Sequence, residues 1–519
     1  MTLRFGGRRT AATLILGAWV ASLSWLMLRE LGESEEEALA ERPRRIGPSA
    51  EFYAVELNGV QIGSAGLTVD TSTTGFQLLE VLTLELPAEG RGGGRSNRHV
   101  SRTESRLTRS FRLERAEANL SEARVASRLE ARMLGDSLLL FTGGPASERP
   151  RSLHEHRVAA VTVTAAVPLR LVATGALRRG AAVEPLTVDL LTETVLPEPA
   201  RVLGDSTFIV ADSAERDEAT GSWRVAHADT VRAWRVEWLV GGQQVVAWVD
   251  EAGRPVRVEF AYGVTVERGA FELLVSDYQR RRREGLAPPL PAAAGALTIS
   301  PRAPLDTDLD SVVVVLARQD GPSRPDAARA FAGGRQRVVG DTVIITRAGG
   351  PPTPRDSVRL RNTGRVAAAA ETGLRDGLDQ AVKRYAAVGD TLTALVHWVA
   401  RDVLLDTTGT APASPGQVLL ARRSNVEGKA RLLAALADLA GMPARIVSGV
   451  VVTDPALPAH TWVEVWRDGW QAVDPVLGQA PASAALLRAM EGPGRALALA
   501  PRIGALRATI VSPSPGARR

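Results

Sequence analysis

The chain has 519 residues, 45% of them apolar and 23% charged, with a formal net charge of +5. That length allows roughly three to four folded units, and the balance of apolar and mixed-sign charged residues excludes a wholly disordered chain. Cysteine is absent, which excludes disulfides, thiolate metal sites and thiol nucleophiles.

The N-terminus sets the expected location. Residues 11–28 (AATLILGAWVASLSWLML) carry no charge and as a helix would span roughly 27 Å, enough for a hydrocarbon core. Arg4, Arg8 and Arg9 precede this run, whereas Glu30, Glu33, Glu35, Glu36 and Glu37 follow it. The positive-inside rule therefore predicts a cytoplasmic arm (1–10), a transmembrane anchor (11–28) and an extracytoplasmic remainder. An uncleaved single-pass anchor is preferred to a cleaved signal peptide and secretion. The small-x-small stretch Ala38-Leu39-Ala40 lies well past the apolar run, behind three glutamates.

A charged, proline-containing stalk (29–50) leads into strand-like sequence. Asn58-Gly59 is a strong hairpin signal between Phe52, Ala54, Leu57 and Val60, Ile62. Phe76 to Leu86 continues as strand. Trp234, Val236 and Trp238, then Val245 to Val249, then Val256, Val258 and Phe260, alternate with polar residues between glycine turns. This period of two predicts an antiparallel sheet with one wet face, assigned to 51–283. The segment 284–389 reads as linker, with strand candidates at Val312 to Ala317 and Val338 to Thr346. The basic run Arg280 to Arg283 reads as a solvated strand end or linker, and charges of both signs alternate elsewhere, so no nucleic-acid partner is expected.

From Asp390 the period changes. Asp390 or Thr391 can cap a helix with Leu392, Leu395, Val396, Val399 and Val403 on one face. After a loop at Thr407 to Pro415, a second helix runs from about Asn425 to Ala440, with Leu432, Leu433, Leu436 and Leu439 as its stripe. Gly441 stands where a C-terminal cap belongs. Strands follow at Arg445 to Thr453, His460 to Trp466 and Trp470 to Val473, the last two joined by Arg467-Asp468-Gly469. The expected fold class is α+β, with 491–519 as a tail.

Three segments in order carry a resemblance: LLAALADLAGMPARIVSGVVV (Leu432 to Val452), HTWVEVW (His460 to Trp466) and GWQAVDPVLGQ (Gly469 to Gln479). Together they resemble the core of bacterial transglutaminase-like proteins, over roughly 390–490. The β-rich region also shows a weaker likeness, through Asn58-Gly59 and Gly63, to the extension that precedes this domain in exported members. The resemblance implies a papain-like fold in which a cysteine at a helix N-terminus is activated by a histidine, itself oriented by an aspartate. A helix N-terminus favours a thiolate through its exposed N–H groups and dipole, and the histidine and carboxylate then complete a proton relay.

Carried over by motif, His460 takes the histidine position and Asp474 the carboxylate position. Counting back from Pro443-Ala444-Arg445 puts the cysteine position at Val426, with Ser424, Asn425, Glu427, Gly428 and Lys429 replacing its neighbours. An isopropyl group has neither lone pair nor acidic proton, so His460 and Asp474 are read as a vestigial pair. Ser424 is the remaining candidate nucleophile, for an amide-bond hydrolase or acyl-transferase, although capping the following helix suits it better. An ideal two-residue turn at Asp468-Gly469 would set Asp474 opposite Val463, so contact with His460 would need a bulge or a diagonal reach.

No cofactor is expected, and no metal: His154 and His156 share a strand face but lack a third ligand. Trp462, Trp466 and Trp470 are expected to pack the core and hairpin. The leading expectation is a catalytically inactive envelope protein that binds a protein or peptide in the former substrate groove, or takes a purely structural part in assembly.

Overall fold

The computed structural model describes residues 46–87, 96–122, 125–218, 221–291, 298–300, 308–319, 327–349, 356, 360–361, 363–365, 373–407, 413–453 and 460–515. Strands hold 51% of the residues and helices 21%, so the protein is mostly β and the α+β expectation is corrected. No helix among the described residues is long and apolar enough to cross a membrane. The predicted anchor at 11–28 and stalk up to residue 45 lie outside those residues.

A 14-stranded antiparallel sheet dominates the N-terminal half. Eight strands follow one another hairpin by hairpin, from Ser49–Leu57 to Arg151–Arg157. On its other edge Ser49–Leu57 pairs with Val264–Gly269, which continues through Pro255–Glu259, Gln243–Asp250, Trp223–Val240, Ala200–Arg216 and Ala182–Val183. The Asn58-Gly59 turn is formed, with φ of 52° and 79°, the left-handed pair that suits a twisted two-residue hairpin. At Gly63 an added β-carbon would lie 2.1 Å from the Thr83 carbonyl oxygen, so only glycine allows the two strands this approach.

The sheet extends through sequence that carries little apolar signal. In Ser96–Thr108 the buried residues are Ser101, Ser105 and Leu107, with arginines between them. Leu113–Glu122 buries Leu113, Ala116, Ala118 and Leu120 while Glu114 and Arg115 point out. Small inward side chains in a long sheet leave a weak hydrophobic alternation, which is why the strand content exceeds the expectation.

The C-terminal half is layered. Helices Leu374–Tyr385, Thr391–Asp402, Pro415–Ala421 and Val426–Leu439 cover one face of a four-stranded sheet in the order Trp470–Val473, His460–Trp466, Ala444–Val451, Leu486–Glu491. Leu392, Leu395, Leu432, Leu433 and Leu436 pack there on Val463, Val465 and Val473. Each such burial is worth roughly 1.5–3 kcal/mol. The other face, with Val447, Trp462 and Leu487, meets Val312, Val314, Val343 and Ile345 of a five-stranded sheet.

That second sheet runs Thr298–Ser300, Leu506–Pro515, Leu309–Arg318, Thr342–Thr346, Gln336–Val339. The single strand expected at 338–346 is a hairpin, turned at Gly340 with φ of 62°. The stretch 491–519 supplies the Ala496–Ile503 helix and the Leu506–Pro515 strand. Leu497 and Ala500 of that helix pack in the core of the large sheet.

Candidate functional site

Asp390 caps the Thr391–Asp402 helix, accepting from the Thr393 N–H at 2.9 Å. Asn425 caps the Val426–Leu439 helix, accepting from the Gly428 N–H at 2.9 Å. The cap expected of Ser424 is therefore made by its neighbour. Val426 is the first helical residue and half-buried. The helix packs on the Ala444–Val451 and His460–Trp466 strands.

Ser424 is buried in a two-residue parallel bridge with Leu404–Leu405. A β-carbon on Gly428 would sit 1.8 Å from its hydroxyl oxygen, so that hydroxyl fills the space beside the first helical turn.

His460 and Asp474 are brought together. The imidazole Nε2 lies 2.7 Å from Asp474 Oδ2, and both side chains are buried. Asp474 Oδ1 accepts from the N–H groups of Val476 at 2.7 Å and Leu477 at 3.0 Å. Both carboxylate oxygens are thus engaged, and the carboxylate accepts from Nε2–H, which leaves the lone pair on Nδ1. The strand register explains the contact. Trp466 pairs with Trp470 and Val463 with Val473, so the turn holds Arg467, Asp468 and Gly469, with Asp468 at φ 56°. Asp474 is therefore one residue out of the two-residue-turn register and reaches His460 along the diagonal.

Lys429, one helical turn past Val426, belongs to this surrounding although its side chain was not singled out in the sequence. It is 2% exposed and donates at 3.1 Å to the carbonyl of Ala400, in the last turn of the Thr391–Asp402 helix. Helix-terminal carbonyls lack intrahelical donors, so the ammonium caps one helix from another. Burial pushes its pKa down, and the nearby Asp474 carboxylate opposes that shift. Arg335 lies close enough to Glu464 and Asp474 to feel both, yet burial dominates and pulls it to about 10. Trp462 is buried between the sheets, and Trp466 meets Trp470 edge-on at 5.3 Å, with the Arg445 guanidinium 3.9 Å from the Trp470 ring. Trp462 and Trp470 pack the interior, and the half-buried Trp466 covers the hairpin end.

A separate cavity of about 90 Å³ lies between the large sheet and the C-terminal layers, lined by His154, His156, Glu193, Arg431 and Arg445 among others. Glu193 bridges the two halves: its carboxylate pairs with Arg431 at 2.6 Å and Arg495 at 2.5 Å. Glu427 also pairs with Arg431, at 2.7 Å. Burial alone would raise the Glu193 pKa, but the two guanidiniums overcome it and hold the carboxyl well below the usual range. Burial takes His154 down to about 4, against the pull of Glu193. His154 and His156 do share a face, 5.1 Å apart, and pack on Phe141. The arginines at 280–283 are largely absorbed by Asp277, Glu284 and Glu85.

Residues 377–475 match the family model of the transglutaminase-like superfamily. No curated protein matches the chain. A β-barrel-like protein from Brucella abortus is similar in structure over 43% of this chain and 96% of its own, with 9% identity and a TM-score of 0.30. A protein from Cytophaga hutchinsonii designated a cysteine protease is similar over 40% of this chain and 84% of its own, with 12% identity and a TM-score of 0.23.

Proposed function

We propose that the transglutaminase-like domain of this chain has lost covalent catalysis and acts by binding a peptide or protein segment where related enzymes hold their substrates. The observation that carries this reading is a buried His460–Asp474 pair whose carboxylate oxygens are both engaged in a chain with no cysteine, beside a helix that begins at Val426. Acyl transfer in this fold needs a polarisable nucleophile at that helix start. Valine cannot supply electrons to a carbonyl carbon, whatever base stands near it.

A serine enzyme is the competing reading, and the position of Ser424 argues against it. Its hydroxyl occupies the flank of Gly428, outside the helix that Asn425 caps. With Val426 half-buried and aspartate orienting the imidazole, the pair is better suited to holding structure or accepting a hydrogen bond from a ligand.

The test is to restore the nucleophile. Val426→Cys is treated with iodoacetamide across pH, with His460→Ala in the same background as control. Fast alkylation that depends on His460 is expected if the activating surroundings survive. A fluorophosphonate probe that labels the unmodified chain, with labelling lost in Ser424→Ala, would overturn the reading.

A further inference from the structure

Strands Ala200–Arg216 and Trp223–Val240 form a long hairpin that runs past its ladder neighbours, its Phe208, Val210 and Val231 still packing on Trp248 and Val256. The neighbouring strand Gln243–Asp250 pairs only as far as Ala233, and Ala182–Val183 covers only Ala200 and Arg201. Past these points the arm has two strands, and an isolated two-stranded ribbon is marginal in water.

The acids of this arm divide into two kinds. Asp205 pairs with Arg232 at 2.9 Å, and Glu215 with Arg224 at 2.7 Å. Asp212 and Asp229 have no arginine or lysine partner among the described residues; both face one imidazole. His227 Nδ1 lies 3.9 Å from Asp212 Oδ2 and 3.7 Å from Asp229 Oδ1. The arrangement follows from strand geometry. His227 and Asp229 are two apart on one strand and so share a face. The ladder register pairs Ala211 with Ala228 and Ser213 with His227, which leaves Asp212 as the extra residue of a β-bulge. A bulge re-aims a side chain, and here it brings Asp212 to the same face.

We propose that Asp212, His227 and Asp229 form a binding site for a divalent transition-metal cation, Zn²⁺ or a close analogue, that staples the two strands of the arm. One nitrogen and two carboxylate oxygens form a donor set that suits such an ion better than a soft or a purely oxygen-seeking one. The three ligand atoms lie within 4.8 Å of one another. Tetrahedral ligand bonds of about 2.0–2.2 Å set donor atoms roughly 3.4 Å apart. The imidazole–carboxylate distances of 3.9 and 3.7 Å close by some tenths of an ångström, and the two carboxylates, within 4.8 Å, by up to about 1.4 Å, through rotation of exposed side chains. All three side chains are well exposed, at 58–65%, so bound water completes the coordination. The ion supplies the positive charge that arginine supplies elsewhere on the arm, and it ties two strands that have no further ladder partner at this point.

The test titrates Zn²⁺, and Co²⁺ as its spectroscopic analogue, into the full chain freed of any purification tag. One equivalent is expected to bind, with visible cobalt bands and slower amide hydrogen exchange confined to the arm. Asp212→Asn and His227→Ala should each weaken binding at least about tenfold, whereas His99→Ala should not. Binding that neither variant changes, or no saturable binding, would overturn the proposal. Because the residues are exposed, loss of binding with an unchanged circular dichroism spectrum separates a lost ligand from a lost fold.

Discussion

Glu193→Gln removes one negative charge from the contact between the two halves of the protein and leaves its shape intact. Glu193 is almost fully buried between Arg431 and Arg495, and its backbone sits at φ 52°, a conformation that costs of order 1 kcal/mol for a non-glycine residue and persists only where contacts enforce it. Breaking a buried ion pair from one side costs about 3–5 kcal/mol. Glu427 remains near both arginines, at 2.7 and 3.3 Å, so the lower end applies, about 3 kcal/mol. At roughly 2–4 °C per kcal/mol for a domain of this size, the melting transition should fall by about 6–12 °C.

The pH dependence sharpens this test. The Glu193 carboxyl is held below its ordinary value of 4.5, so its contribution is complete above that value and lost as pH falls through the depressed folded one. His154, at about 4 against an ordinary 6.5, is kept neutral by burial, so folding also weakens as pH falls from 6.5 towards 4. The unmodified protein should therefore lose stability in acid more steeply than Glu193→Gln. Calorimetry of both chains from about pH 7 down to about pH 3, below the ordinary carboxyl value, checks it. A shift under about 2 °C, equivalent to less than 1 kcal/mol, together with parallel acid slopes, would refute the reasoning.

Further outcomes follow from single contacts. Gly428→Ala places a β-carbon 1.8 Å from the Ser424 hydroxyl and should cost about 1–3 kcal/mol as overpacking; denaturant melts should show much of that loss restored in the Gly428→Ala, Ser424→Gly double variant. Asn425→Ala removes a helix cap and should cost about 1 kcal/mol, read from the urea midpoint. Burial raises Glu198 to about 7 from 4.5, against the Gly241 N–H bond it accepts. Its protonated form therefore adds stability that is complete below about 4.5 and lost as pH rises through about 7, some 3 kcal/mol in all. Glu198→Gln should flatten that slope in thermal melts taken from pH 5 to 8.

The sequence showed the C-terminal layer well because its elements are strongly patterned. Leu432, Leu433 and Leu436 mark one helix by spacing alone, and Gly441, at φ 79°, ends it. His460 and Asp474 were legible as a pair through their motifs, while the turn register that joins them depends on one residue, Asp468, adopting a left-handed conformation. The large sheet was harder to read. Ser101, Ser105, Ala116 and Ala118 face its interior, and such small residues carry almost no periodic signal. Lys429 and Glu193 were invisible as site residues because their partners lie far away in sequence: Ala400 for one, Arg431 and Arg495 for the other. Asp212 escaped for a different reason, since only a bulge puts it beside His227.

The most direct measurement is turnover by the unmodified chain. Purified protein is incubated with a glutamine-bearing peptide and a labelled primary amine, and ammonia release, peptide cleavage and amine incorporation are followed together. No product above the buffer rate is predicted, with the same result for His460→Ala. Product formed many times faster than in buffer, and abolished by His460→Ala or Ser424→Ala, would contradict the account.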